Sequence, residues 1–81
     1  MLDTRNPNAM TPAVFEQAML DLDVTDMGMS LFLGVDRTSV VRWRTGARAI
    51  PTAVAIVVQL LIEKKVSRRR VRQLAREFSG N

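Results

Sequence analysis

The 81-residue chain contains no cysteine, no histidine and no tyrosine. Without cysteine there is no disulfide framework, no thiolate metal site and no thiol nucleophile. Without histidine the usual general base at neutral pH, the Ser-His-Asp arrangement and the commonest metal ligand are all missing. Serine, aspartate and glutamate are present, but nothing groups them as a catalytic set. Neither a glycine-rich phosphate loop nor metal-ligand spacing occurs. An enzyme is therefore not expected, and no cofactor is expected. Long apolar runs are missing too. The longest, 53–62, is interrupted by Gln59 and is about half the ~20 residues a membrane span needs. Acids and the lack of a hydrophobic signal core near the N-terminus argue against secretory targeting, so a cytoplasmic location is the default expectation.

Apolar residues make up 47% of the chain and charged residues 25%, a globular rather than disordered balance. A chain this short buries only about 60–65% of its unfolded surface. Its stability should be on the order of 4–12 kcal/mol, and self-association is a natural supplement. The net charge is +4, but the charge is unevenly spread. Up to Asp36 a single base, Arg5, stands against Asp3, Glu16, Asp21, Asp23, Asp26 and Asp36. From Arg37 onward eleven bases stand against Glu63 and Glu77. Arginine dominates these bases, and its planar fork suits phosphate and guanine. A polyanionic partner is the inference.

Positions 1–10 hold Asn6-Pro7-Asn8 and no periodicity, and read as a flexible tail before a single domain at 11–81. Thr11-Pro12 opens a helix over 12–22, with Val14, Phe15, Ala18, Met19 and Leu22 on one face. Thr25 caps a short helix over 26–33, whose apolar face is Met29, Phe32 and Leu33. Asp26 sits in its positive first turn. Gly34 ends that helix and Asp36 caps the next, 37–45, with Val40 and Trp43 on the buried side and Gly46 at the end. Ile50-Pro51 opens a fourth helix over 51–64 that is apolar nearly all round, so it should be enclosed on more than one side, with a second copy of the chain as the natural source of the extra cover. Ser67 offers a cap for a last helix over 68–78, either separate from the fourth or continuous with it. Its Val71, Leu74, Ala75 and Phe78 lie on one stripe, and its arginines cover the rest.

Two short helices joined by a tight glycine turn, the second rich in arginine and hydroxyl residues, form the arrangement of a helix-turn-helix. A helix about 10–12 Å across matches a major groove about 12 Å wide. The segment 25–46, TDMGMSLFLGVDRTSVVRWRTG, resembles the helix-turn-helix of the lambda-repressor-like (Cro/XRE) family. The stretch ARAIPTAVAIVVQLL that follows is similar to the fourth helix of many small members. The likeness covers about 11–64 and is carried by Ser30, Gly34-Val35, Val40, Arg42-Trp43, Gly46 and Ile50-Pro51. It implies an all-α, five-helix domain acting on double-stranded DNA as a homodimeric transcriptional regulator, most simply a repressor. Phages and mobile elements are the usual setting of such small members.

On that docking, Arg37, Thr38, Val41 and Arg42 are expected at base edges, where arginine bonds guanine and threonine or valine meets a thymine methyl. Thr25, Ser39, Arg44, Thr45 and Arg48 are expected at phosphates. Arg68, Arg69, Arg70 and Arg72 have three readings: a solvated face, a second nucleic-acid contact, or a site for an acidic partner. Trp43 is read as core. The alternative for the whole chain is an adaptor or antiactivator that contacts another regulatory protein rather than DNA. Its support is the acidic N-terminal half, the apolar fourth helix and Asp26. That carboxylate stands where the family often has a phosphate-touching glutamine and would repel a phosphate.

Overall fold

The computed structural model describes residues 10–78, which form five helices and, among the described residues, no strand. They are α1 (Pro12–Leu22), α2 (Asp26–Leu33), α3 (Arg37–Thr45), α4 (Thr52–Ile62) and α5 (Arg68–Phe78). The starts of α1, α2, α3 and α5 are made by the residues the sequence offers. Thr11 Oγ1 accepts the Val14 N–H at 3.1 Å and Thr25 Oγ1 accepts that of Gly28 at 3.0 Å. Asp36 Oδ1 accepts the Ser39 N–H at 2.9 Å, and Ser67 Oγ accepts that of Arg70 at 3.2 Å. Each bond satisfies one of the donors that a helix start leaves open.

The fourth helix is shorter than its apolar pattern suggests. Pro51 is its N-cap rather than its first residue, and the helix stops at Ile62. The chain then turns through Lys64, whose φ of 60° is left-handed. The expected tail lies outside the described residues except for Met10, which is half-buried and packed on the core.

The core is built where α1, α3 and α4 meet, with α2 closing one side. Phe15, Met29, Val40 and Val58 are fully buried, and Ala18, Met19, Leu22, Trp43 and Leu61 nearly so. Two apolar residues depart from the stripes read in the sequence. Val14 is 50% exposed and Phe78 is 83% exposed. Val14 borders a cleft shared with Gln59 and Ile62 of α4, and Phe78 a groove shared with α2 and α4, and neither is closed over. Within the single chain the fourth helix leaves Ile56 exposed on its outer side. Among the described residues no helix is long and apolar enough to cross a membrane.

The turn between α2 and α3 fixes how those two helices meet. Gly34 closes α2 with φ 67°, and Val35 N–H donates to the Ser30 carbonyl at 3.1 Å. Ser30 is buried at the crossing, its hydroxyl donating to the Met27 carbonyl. A β-carbon on Gly34 would lie 3.3 Å from both the Cβ and the carbonyl oxygen of Ala75 in α5. The glycine thus serves conformation and close approach together. Gly34→Ala should cost roughly 1–2 kcal/mol from the left-handed conformation alone, with α5 pushed outward in addition. Urea unfolding followed by circular dichroism measures it, and an unchanged midpoint would contradict the packing described.

Candidate nucleic-acid interface

Helix α3 has two unlike faces. Val40 and Trp43 point inward, and the Trp43 and Phe15 rings stand nearly perpendicular, 83° apart in plane and 6.1 Å between centroids. The opposite face carries Arg37, Thr38, Arg42 and Thr45, all exposed, with half-buried Val41 between them. These five positions are spaced i, i+1, i+4, i+5 and i+8, which is one continuous strip of a helix surface. The structure therefore brings together the four residues expected at base edges. Capping by Asp36 fixes the start of the strip, and the Ser39 hydrogen bonds to Asp36 hold its carboxyl below the ordinary carboxylate range.

The residues expected at phosphates are less uniform. Thr25 lies exposed at the start of α2 with its hydroxyl oxygen engaged as the cap. Ser39 is half-buried, one position off the exposed strip. The Thr45 hydroxyl donates to the Val41 carbonyl at 2.8 Å, which leaves its oxygen as an acceptor only. Arg48 is exposed just past the end of α3, and its backbone N–H returns to the Arg42 carbonyl at 3.2 Å. That bond keeps the connection to α4 beside the C-terminal half of α3.

Arg44 is already engaged inside the protein. Its Nε and Nη2 donate to the two carboxylate oxygens of Asp26 at 2.9 and 3.0 Å, and its Nη1 stands 3.8 Å from Glu16. This forked pair ties the end of α3 to the start of α2 and to α1. Its consequence for Asp26 is direct. The carboxylate does not face solvent alone but is neutralised by a guanidinium, so it does not present a bare negative charge to a phosphate.

Hydrogen bonding from Arg44, reinforced by its charge, also holds the Asp26 carboxyl below the ordinary carboxylate range. A lowered folded-state value means that the stabilisation is complete above the unfolded value of about 3.9. It is lost as acid protonates the carboxylate in the folded state. Asp26→Asn should therefore be less stable than the parent at neutral pH and should converge on it in strong acid. Urea midpoints measured across that range test this, and a deficit that persists unchanged in acid would contradict the pairing.

Helix α5 carries a second set of guanidinium groups. Arg68, Arg72 and Arg76 succeed one another at every fourth position, with Arg69 and Gln73 alongside. Together with Phe32 of α2 they line an open cleft of about 670 Å³. The Arg68 guanidinium lies over the Phe32 ring, 5.4 Å from its centroid. Arg70 stands outside that lining and donates to Gln73 at 3.1 Å. Among the described residues no group of acidic side chains could hold a metal ion.

Comparison with protein-family models, with curated proteins and with solved structures finds no match to this chain.

Proposed function

We propose that this chain is a sequence-specific double-stranded DNA-binding regulator of the lambda-repressor-like kind, reading the major groove with α3 and acting most simply as a repressor. The observation that carries the reading is the exposed strip of Arg37, Thr38, Val41, Arg42 and Thr45. It stands on a helix whose other face is anchored by Val40 and Trp43. Two forked arginines, a threonine and a valine methyl pair are the side-chain types that distinguish base pairs by their groove edges. Arg48 then lies where the chain leaves the groove, suited to a backbone phosphate. The internal neutralisation of Asp26 by Arg44 removes one objection to this reading.

A homodimer is part of the proposal. An apolar groove of about 410 Å³ runs between α2, α4 and α5, floored by Leu33, Val54, Val57 and Leu74, with the exposed Phe78 at its rim. A second copy covering that groove would pair two half-sites, as two-fold operators require.

The test is equilibrium binding of the chain to its own upstream region across a range of salt. Neutralising about six phosphates gives a log–log slope near −5 by counterion release. Binding that ignores salt, or no binding to any duplex, would overturn the reading in favour of a protein-contacting adaptor.

A further inference from the structure

The arginine row of α5 is placed at a local cost. Arg68, Arg69 and Arg70 occupy the first turn of the helix, with no acidic residue there. That turn is the positive end of the helix, which favours acids and disfavours bases. Arg68 and Arg72 form a like-charge pair at i, i+4, which also disfavours the helix. The Arg68 guanidinium over the Phe32 ring offsets this at one position only. Among the described residues Arg68, Arg69 and Arg72 have no carboxylate within salt-bridge distance, although Arg76 has an interaction of its own. Local choices that work against the fold mark places where function sets the residue.

The row also has a definite position. Ala75 packs against Gly34, so the second half of α5 abuts the turn that leads into α3. Arg72 and Arg76 line a cleft with Gly34 and Val35, two residues before α3 begins at Arg37. From there the row runs about 10 Å back to Arg68, at 1.5 Å per residue. A groove about 12 Å wide is bordered on each side by a phosphate strand. Arg72 and Arg76 thus stand beside the turn from which α3, the proposed groove helix, departs.

The composition of the cleft separates two classes of partner. A protein interface centres on apolar and aromatic anchors with charge depleted there. This cleft has four guanidinium groups, a glutamine and one aromatic ring that Arg68 already covers. We infer that Arg68, Arg69 and Arg72 form a second contact to the DNA phosphate backbone, beside the strand that borders the groove occupied by α3. This rests on the DNA-binding reading above and adds to it a clamp outside the helix-turn-helix that holds without reading sequence.

The experiment compares the intact chain with a triple variant, Arg68→Gln, Arg69→Gln and Arg72→Gln, and with the matching triple lysine variant. Fluorescence anisotropy follows binding to a preferred duplex and to scrambled duplexes at several salt concentrations. Poly-glutamate serves as the acidic-polypeptide probe, and circular dichroism checks the fold. The glutamine variant should stay folded, because the three side chains it changes are exposed. Its salt slope should be shallower by about 2–3, near 0.9 for each phosphate that is no longer neutralised. Affinity should fall on all duplexes alike and leave base preference intact. The lysine variant, which keeps the charges, should keep most of the slope.

A glutamine variant with the parent's slope overturns this inference while leaving the α3 reading standing. The same unchanged slope, with poly-glutamate binding abolished in that variant, overturns it in favour of an acidic protein partner. An intact chain that binds no duplex overturns both.

Discussion

Trp43→Ala is expected to remove about 3–5 kcal/mol of folding stability. The indole is 5% exposed and packs nearly perpendicular to the ring of Phe15, which is itself fully buried. Truncating a buried tryptophan costs roughly 3–5 kcal/mol, because the apolar surface of the ring no longer leaves water on folding and a cavity remains in its place. The whole fold is worth on the order of 4–12 kcal/mol at this length. One substitution therefore removes a large share of the total. The damage should centre on α3, since Val40 and Trp43 are its two buried anchors.

Trp43→Phe separates packing from hydrogen bonding at the same position. The indole Nε1 is buried with no hydrogen-bond partner, and an unsatisfied buried donor costs roughly 1–3 kcal/mol. Phenylalanine removes that donor and keeps a ring against Phe15. Its loss of stability should be well below that of alanine. Urea unfolding monitored by circular dichroism compares the two, and equal losses would show that ring packing is not what anchors α3.

On the major-groove docking proposed for α3, Arg42→Ala is expected to weaken binding to the preferred site by roughly 1–3 kcal/mol, chiefly by relaxing discrimination at one base pair. Arg42 lies one turn beyond Thr38 on the exposed strip, so a guanidinium there extends into a groove occupied by α3. Arg48→Ala is the control. It should weaken all sequences about equally and make the salt slope shallower by about one per subunit, because phosphates carry no base information. Both variants are measured on the preferred site and on its single-base changes. A uniform loss for Arg42→Ala together with an altered base preference for Arg48→Ala would mean that the docking register is wrong.

The helices were legible because their ends are written in local chemistry. Thr11, Thr25, Asp36 and Ser67 cap as their side chains suggest, and Gly34 and Gly46 take left-handed conformations at the two helix ends they close. The buried sides of α1 and α3 followed from spacing, since neighbours three and four apart share a face. The limits of each stripe did not follow. Whether Val14 or Phe78 is covered depends on where another helix ends, which periodicity does not encode.

The candidate site divides in the same way. The exposed strip of α3 was readable because one helix supplies all of it. The engagement of Arg44 was not, because its partners Asp26 and Glu16 come from two other helices. From sequence alone Asp26 reads as a repulsive carboxylate, whereas three dimensions make it half of an ion pair. Gly28 is a related case. A β-carbon there would come 3.3 Å from that of Val24, a close contact between residues four apart that sequence alone does not show.

The solitary indole, in a chain with no tyrosine, also gives the molecule a built-in optical reporter. Emission excited at the red edge comes from Trp43 alone, and its enclosed setting should give a short-wavelength maximum. Unfolding should move that maximum to the red as water reaches the ring, so the anchoring of α3 can be followed without a label. Because the ring faces inward, away from Arg42, a ligand seated on the outer strip should leave its colour unchanged. A partner that prises α3 from the core should shift it.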